Sequence, residues 1–156
     1  MSNPTTITAP PGVPFIEITR EFDAPVDAVY RAHAEPELVK QWLGPRGYEM
    51  TIDRYDVTSG GGYAYRHVDG DQEYRFRGVF HTARKNELII QTFEYEGFPD
   101  TVSIETLTFE SLDGDRTRIT GRSAYPTQEA RDGMVESGME SGINDGYERL
   151  DELLAV

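Results

Sequence analysis

The chain has 156 residues, with 28 acidic against 15 basic for a net charge of -13, and no cysteine. That length suits one domain with a real core, and the charge argues against nucleic acid or an anionic membrane as partner, with solubility its favoured meaning over a basic partner. Without cysteine, disulfides, thiolate metal sites and thiol catalysis are excluded.

Met1 to Pro14 carries four prolines and reads as a flexible lead, residues 1–14, ahead of one domain over 15–156. It lacks the basic and apolar regions of a secretory signal, and no run approaches the ~18 apolar residues of a membrane span, so a soluble cytoplasmic protein is expected. Phe15 to Phe22 alternates, with Ile16, Ile18 and Phe22 on one side and Glu17, Thr19 and Glu21 on the other, which predicts a first strand. Pro25 opens a short helix to about Ala34, and Pro36 opens another that runs to Trp42 and stops before Gly44-Pro45.

From Gly47 the period is two. Strands are predicted at Tyr48 to Val57, Gly62 to Val68, Glu73 to Thr82, Glu87 to Tyr95, Thr101 to Glu110 and Arg116 to Tyr125, separated by turn sequences such as Asp69-Gly70-Asp71 and Asp113-Gly114-Asp115. No helical crossover separates them, so the sheet is an antiparallel meander.

Pro126 to Leu154 then reads as a long helix with Thr127 as N-cap; unbroken, it would span roughly 40 Å. Its apolar row is Val135, Met139, Ile143, Tyr147, Leu150 and Leu154, and beside it stand Gly138, Gly142 and Gly146. Each helical glycine costs about 1 kcal/mol relative to alanine, so the row implies either close packing on a sheet or a hollow beneath the helix. Ala130 and Met134 lie round the helix from Ile143 and Leu150, which predicts a bend or irregular turn near Gly138 to Gly142. A curved sheet needs something long on its inner face, so the expected fold is α+β, with about seven strands gripping the C-terminal helix.

Phe22 to Met50 (FDAPVDAVYRAHAEPELVKQWLGPRGYEM), the Gly60-Gly61-Gly62-Tyr63 turn and Ser137 to Leu154 (SGMESGINDGYERLDELL) resemble a branch of the START-like superfamily, also called SRPBCC or Bet v 1-like. The branch is named after the C-terminal domain of the Hsp-90 ATPase activator, and the resemblance covers about Phe15 to Val156. Many relatives carry two tryptophans where this chain reads Trp42-Leu43. The resemblance implies a helix-grip fold with a cavity between sheet and helix, used across the superfamily for lipids, polyketides, hormones or other apolar molecules; membership alone does not fix a function, because the superfamily includes carriers, cyclases and co-chaperone domains.

Tyr63, Tyr65 and His67 share one face of a strand, as do Tyr74, Phe76, Gly78 and Phe80 of the next, and Phe93 and Tyr95 of the one after. Aromatics with polar tips suit an apolar pocket with a few hydrogen-bond handles, although core packing uses them too. The expected lining is Trp42, Tyr63, Tyr65, Phe76, Phe80, Phe93, Tyr95, Met134, Gly138, Met139, Gly142 and Ile143. His33, His67 and His81 show no metal spacing, and no sequence feature demands a metal or other cofactor. His67, Tyr65 and Glu136 are the candidates for acid–base work.

The residues favour a binding module for a small apolar or aromatic molecule over an enzyme, acting as a monomer or homodimer. The alternatives are a stress-related domain that engages a chaperone, and a polyketide-cyclase-like enzyme or self-sacrificing resistance protein.

Overall fold

A computed structural model describes residues 3–155 of the chain. Eight strands form one antiparallel sheet: β1 (Thr5–Thr8), β2 (Phe15–Phe22), β3 (Glu49–Tyr55), β4 (Gly62–Asp69), β5 (Gln72–Arg84), β6 (Leu88–Tyr95), β7 (Ser103–Leu112) and β8 (Arg116–Ala124). Their order across the sheet is β1-β2-β8-β7-β6-β5-β4-β3. Between β2 and β3 the helices α1 (Val26–Ala34) and α2 (Pro36–Val39) carry the chain from one side of the sheet to the other, and α3 (Gln128–Glu136) and α4 (Met139–Leu154) close it. Among the described residues no helix is long and apolar enough to cross a membrane.

The chain reads locally as expected, with the predicted strands recovered to within a few residues. Turn residues Asn86 and Asp115 take positive φ within three-residue hairpin connections, where a left-handed residue is needed to reverse the chain. Pro25 sits just before α1 in an extended conformation rather than inside it. Thr5–Thr8, expected to lie within a flexible lead, pairs with Glu17–Arg20 and makes an eighth, edge strand. β-branched threonines suit a pleated edge, and Arg131 on α3 holds the connecting segment by donating to the carbonyls of Pro10 and Phe15.

The expected single rod is two helices. Gly138 takes φ of 86°, a left-handed conformation that only glycine adopts cheaply, and it ends one helix direction and starts the next. Thr127 caps α3, its hydroxyl accepting from the Ala130 amide at 3.1 Å. The break turns the apolar row: Met134 faces inward from α3, whereas Val135 is 43% exposed. α4, with 16 residues, remains the longest element.

Two contacts hold α4 over the sheet. Arg20 projects from the inner face of β2, is buried, and donates through both terminal nitrogens to the Asp151 carboxylate at 2.7 Å each. On the opposite flank Arg149 donates to the carbonyls of Gln41 and Gly44, while a side chain at Gly146 would press on the Trp42 carbonyl oxygen at 3.2 Å. The absence of a side chain at Gly146 lets the helix backbone approach that loop closely.

Removing one partner of a buried pair strands the other charge. Asp151→Asn is expected to lower the unfolding free energy by about 3 kcal/mol in urea denaturation, while Arg20→Met combined with Asp151→Leu recovers most of that loss.

Candidate functional site

A cavity of about 400 Å³ lies between the inner face of the sheet and α4. One wall is an aromatic ladder in which Tyr63 stacks on Tyr65 at 5.8 Å, Tyr65 on Phe76 at 5.3 Å and Phe76 on Phe93 at 5.4 Å between ring centroids. Each ring comes from the inward phase of β4, β5 or β6, and the antiparallel register sets Tyr65 opposite Phe76. The roof is the Trp42-Leu43-Gly44-Pro45 loop together with Met134, Met139, Gly142, Ile143 and Gly146. Trp42 is fixed by its indole N–H, which donates to the Ala32 carbonyl at 2.9 Å.

Of the expected lining, Trp42, Tyr63, Tyr65, Phe76, Phe93, Met134, Met139, Gly142 and Ile143 border the cavity. Phe80, Tyr95 and Gly138 do not. Phe80 is 1% exposed and packs behind the wall against Tyr55 and Tyr63, and Tyr95 lies at the far end of β6 against Tyr74 and Phe76. A side chain at Gly138 would meet open space, so its role is the helix break. Gly142 borders the cavity, and a Cβ there would touch only Pro45, at 3.7 Å. The glycine row thus has three separate causes: conformation, empty space and close approach.

Of the acid–base candidates, Tyr65 and His67 border the cavity with ring centroids 5.3 Å apart. Glu136 does not join them; it ends α3 on the exposed surface, because the break at Gly138 swings the last turn of α3 outward. Burial, with a smaller contribution from the Arg149 charge, holds the His67 imidazole down at about 4, so it is neutral at physiological pH. Its Nδ1 is buried without a hydrogen-bond partner. His33 is likewise held at about 4 by burial, against the opposing effect of its 2.8 Å hydrogen bond to the Val29 carbonyl. Among the described residues no hydrogen bond joins Tyr65, His67 and any carboxylate.

The polar centre of the floor was missed in the sequence. Gln91, Glu105 and Ser123 are register partners on β6, β7 and β8 and form one polar rung, flanked in the same register by Phe80 and Ile16. Glu105 Oε2 accepts from the Ser123 hydroxyl at 3.1 Å and the Ser103 hydroxyl at 3.4 Å. Glu105 is half-buried and borders the cavity. Burial pushes its carboxyl up from the usual range, and the serine donors pull it part of the way back. The signal was present in the alternation: Ser103, Glu105, Leu107 and Phe109 share one phase, and Phe109 is core.

A larger depression, about 540 Å³, lies at the surface near the end of α4, lined by Asp23, Glu148, Asp151 and Glu152. It has charged walls and none of the aromatic ladder, so the inner cavity is the candidate site.

Residues 23–155 match the family model described as activator of Hsp90 ATPase homolog 1-like protein. The chain belongs to that family. Among solved structures, a Rhodobacter sphaeroides protein is 25% identical with a TM-score of 0.89, over 97% of this chain and 99% of that one. An Arthrobacter aurescens protein is 27% identical with a TM-score of 0.87, over 96% of this chain and 91% of that one. DynU16, a protein in the dynemicin biosynthetic locus, shares the fold at 19% identity and a TM-score of 0.67, over 92% of this chain and 48% of that one. No curated protein matches.

The two kinds of buried group give opposite pH signatures. For His67 and His33 the folded value of about 4 lies below the ordinary 6.5, so their contribution to stability is complete above 6.5 and is lost as pH falls toward 4. For Glu105 the folded value lies above the ordinary 4.5, so stability is complete below 4.5 and is lost as pH rises. Glu105→Gln should therefore unfold at a higher temperature than the native protein at pH 7, with the gap closing below about pH 4.5. In an NMR titration the His67 ring should remain neutral through pH 5; a midpoint near 6.5 would contradict its burial.

Proposed function

We propose that the protein binds a small apolar or aromatic molecule in the cavity between its sheet and α4. The observation that carries this is the cavity of about 400 Å³ itself, walled by stacked aromatic rings and left open under Gly142. Protein interiors are close-packed, and voids larger than a few waters are rare in them. Ligand pockets of roughly 300–1,000 Å³ combine apolar walls with a few polar anchors, and this site has that composition, with Glu105, Ser123 and Gln91 on the floor. A binding role requires no nucleophile and base in hydrogen-bond contact, which accords with the separation of Tyr65, His67 and Glu105.

A second reading, engagement of a chaperone ATPase, rests on the family description alone. Its test is an ATPase assay of the host's chaperone with and without the purified protein, and an unchanged rate removes it.

Gly142→Leu places a side chain in the cavity where only Pro45 is near, and it also replaces a helical glycine. The expected outcome is loss of naphthylmethanol binding by at least about tenfold in calorimetry, with thermal stability equal to or above native. Native mass spectrometry of protein purified from its own host is expected to show a bound small molecule that Gly142→Leu does not carry. Full retention of binding by Gly142→Leu would place the ligand elsewhere.

A further inference from the structure

Glu105 is a carboxylate on the floor of a largely apolar cavity, and among the described residues no lysine, arginine or histidine forms an ion pair or hydrogen bond with it. The titratable groups around it are phenols: Tyr63 and Tyr65 from β4, Tyr125 after β8, and Tyr147 from α4, each feeling the Glu105 charge. Two guanidiniums on the nearby strands β2 and β8 are committed elsewhere. Arg20 is held by Asp151, and Arg122, which borders the cavity, lies over the Phe15 ring at 4.1 Å and 3.3 Å from Glu17. His67 is buried at the roof loop, beneath Gly44. Two serine hydroxyls reach the carboxylate at the same oxygen, Oε2: Ser123 donates at 3.1 Å, and Ser103 at 3.4 Å shares its proton with the equally distant Phe93 carbonyl. Among the described residues Oε1 accepts no hydrogen bond, so one carboxylate oxygen is left to the cavity.

A buried carboxylate with only neutral donors is costly and is most stabilised by a positive charge. Here that charge has to arrive with the ligand. We propose that the cavity is built for a primary or secondary amine carried on an apolar or aromatic body, the ammonium meeting Glu105 Oε1 and the body lying along the aromatic ladder. The proposal rests on the ligand-binding reading above and adds to it the ligand's charge. Aromatic ring faces, which line the cavity wall, also attract a cation, and the net charge of -13 draws cations toward the protein. Gln91, beside Glu105 on the polar rung, offers a carbonyl oxygen as a second acceptor for an ammonium with more than one N–H.

The test compares two probes of nearly equal shape, naphthylmethylamine and naphthylmethanol, by calorimetry at pH 7. The native protein is expected to bind the amine about tenfold or more tightly than the alcohol, the worth of one charge-assisted hydrogen bond. Glu105→Gln should abolish that preference, bringing the affinity for the amine down to that for the alcohol or below it. Glu105→Asp, which keeps the charge but withdraws it by one methylene, should reduce the preference without abolishing it, and serves as the second arm if the Gln variant does not fold. Equal binding of the two probes by the native protein, tighter binding of the alcohol, or a preference that survives Glu105→Gln overturns the proposal while the cavity reading stands. Binding of neither probe overturns both.

Discussion

The bidentate pair between Arg20 and Asp151 is the contact on which the rest of the interior depends. It ties the last turns of α4 to β2 through a guanidinium that is 2% exposed and sandwiched near the Phe22 and Tyr147 rings. Its mirror on the other flank is the approach of Gly146 to the Trp42 carbonyl, reinforced by Arg149. A helix held at these points is suspended across the sheet rather than collapsed onto it. The stretch before them, where Gly142 has no side chain to fill the gap, stays hollow. The cavity is thus a consequence of how the helix is hung, and the break at Gly138 lets α3 leave in another direction and close the end with Met134.

Within that hollow the distribution of polarity departs from what stability alone would choose. A fully apolar floor at the Gln91, Glu105 and Ser123 positions would pack the same sheet without desolvating a carboxylate. Local rules are broken most often where a protein binds something, and the cost of burying Glu105 is the clearest such violation in this chain. The histidines depart in the same sense. His33 and His67, which border the cavity, are held neutral by burial and so add no positive charge to its walls.

Membership of the family describes the frame, and the solved relatives at 25–27% identity share almost the whole of it. Frames of this kind host unrelated activities, so the argument for function has to be made at the site. Here it is made by an aromatic ladder, a free carboxylate oxygen and a space of ligand size, features that belong to particular side chains rather than to the fold.

Much of this was legible along the chain. Period-two alternation from Gly47 onward, turn residues able to take positive φ, and prolines at two helix starts are properties of neighbouring residues, so the strands, α1 and α2, the sheet class and the aromatic faces could be read directly. The mismatch between the two halves of the terminal helix also announced its break, although only the left-handed Gly138 showed that the break was complete and that Val135 and Glu136 would turn to solvent. The edge strand at Thr5–Thr8 escaped because prolines on both sides masked a short β-branched run whose partner is a dozen residues away. Arg20 and Glu105 escaped for a different reason: each lies on the inward phase of its strand, but a charge there reads as an exception until its surroundings are known. Those surroundings come from far along the chain: Asp151 for Arg20, and for Glu105 the register with Gln91 and Ser123 and the overhanging Tyr147. Sequence therefore determined the elements and their faces, since these depend on residues a few positions apart. Tertiary structure alone decided which inward-facing charge is paired and which has no charged partner, because that depends on register and on how closely the helix can approach the sheet.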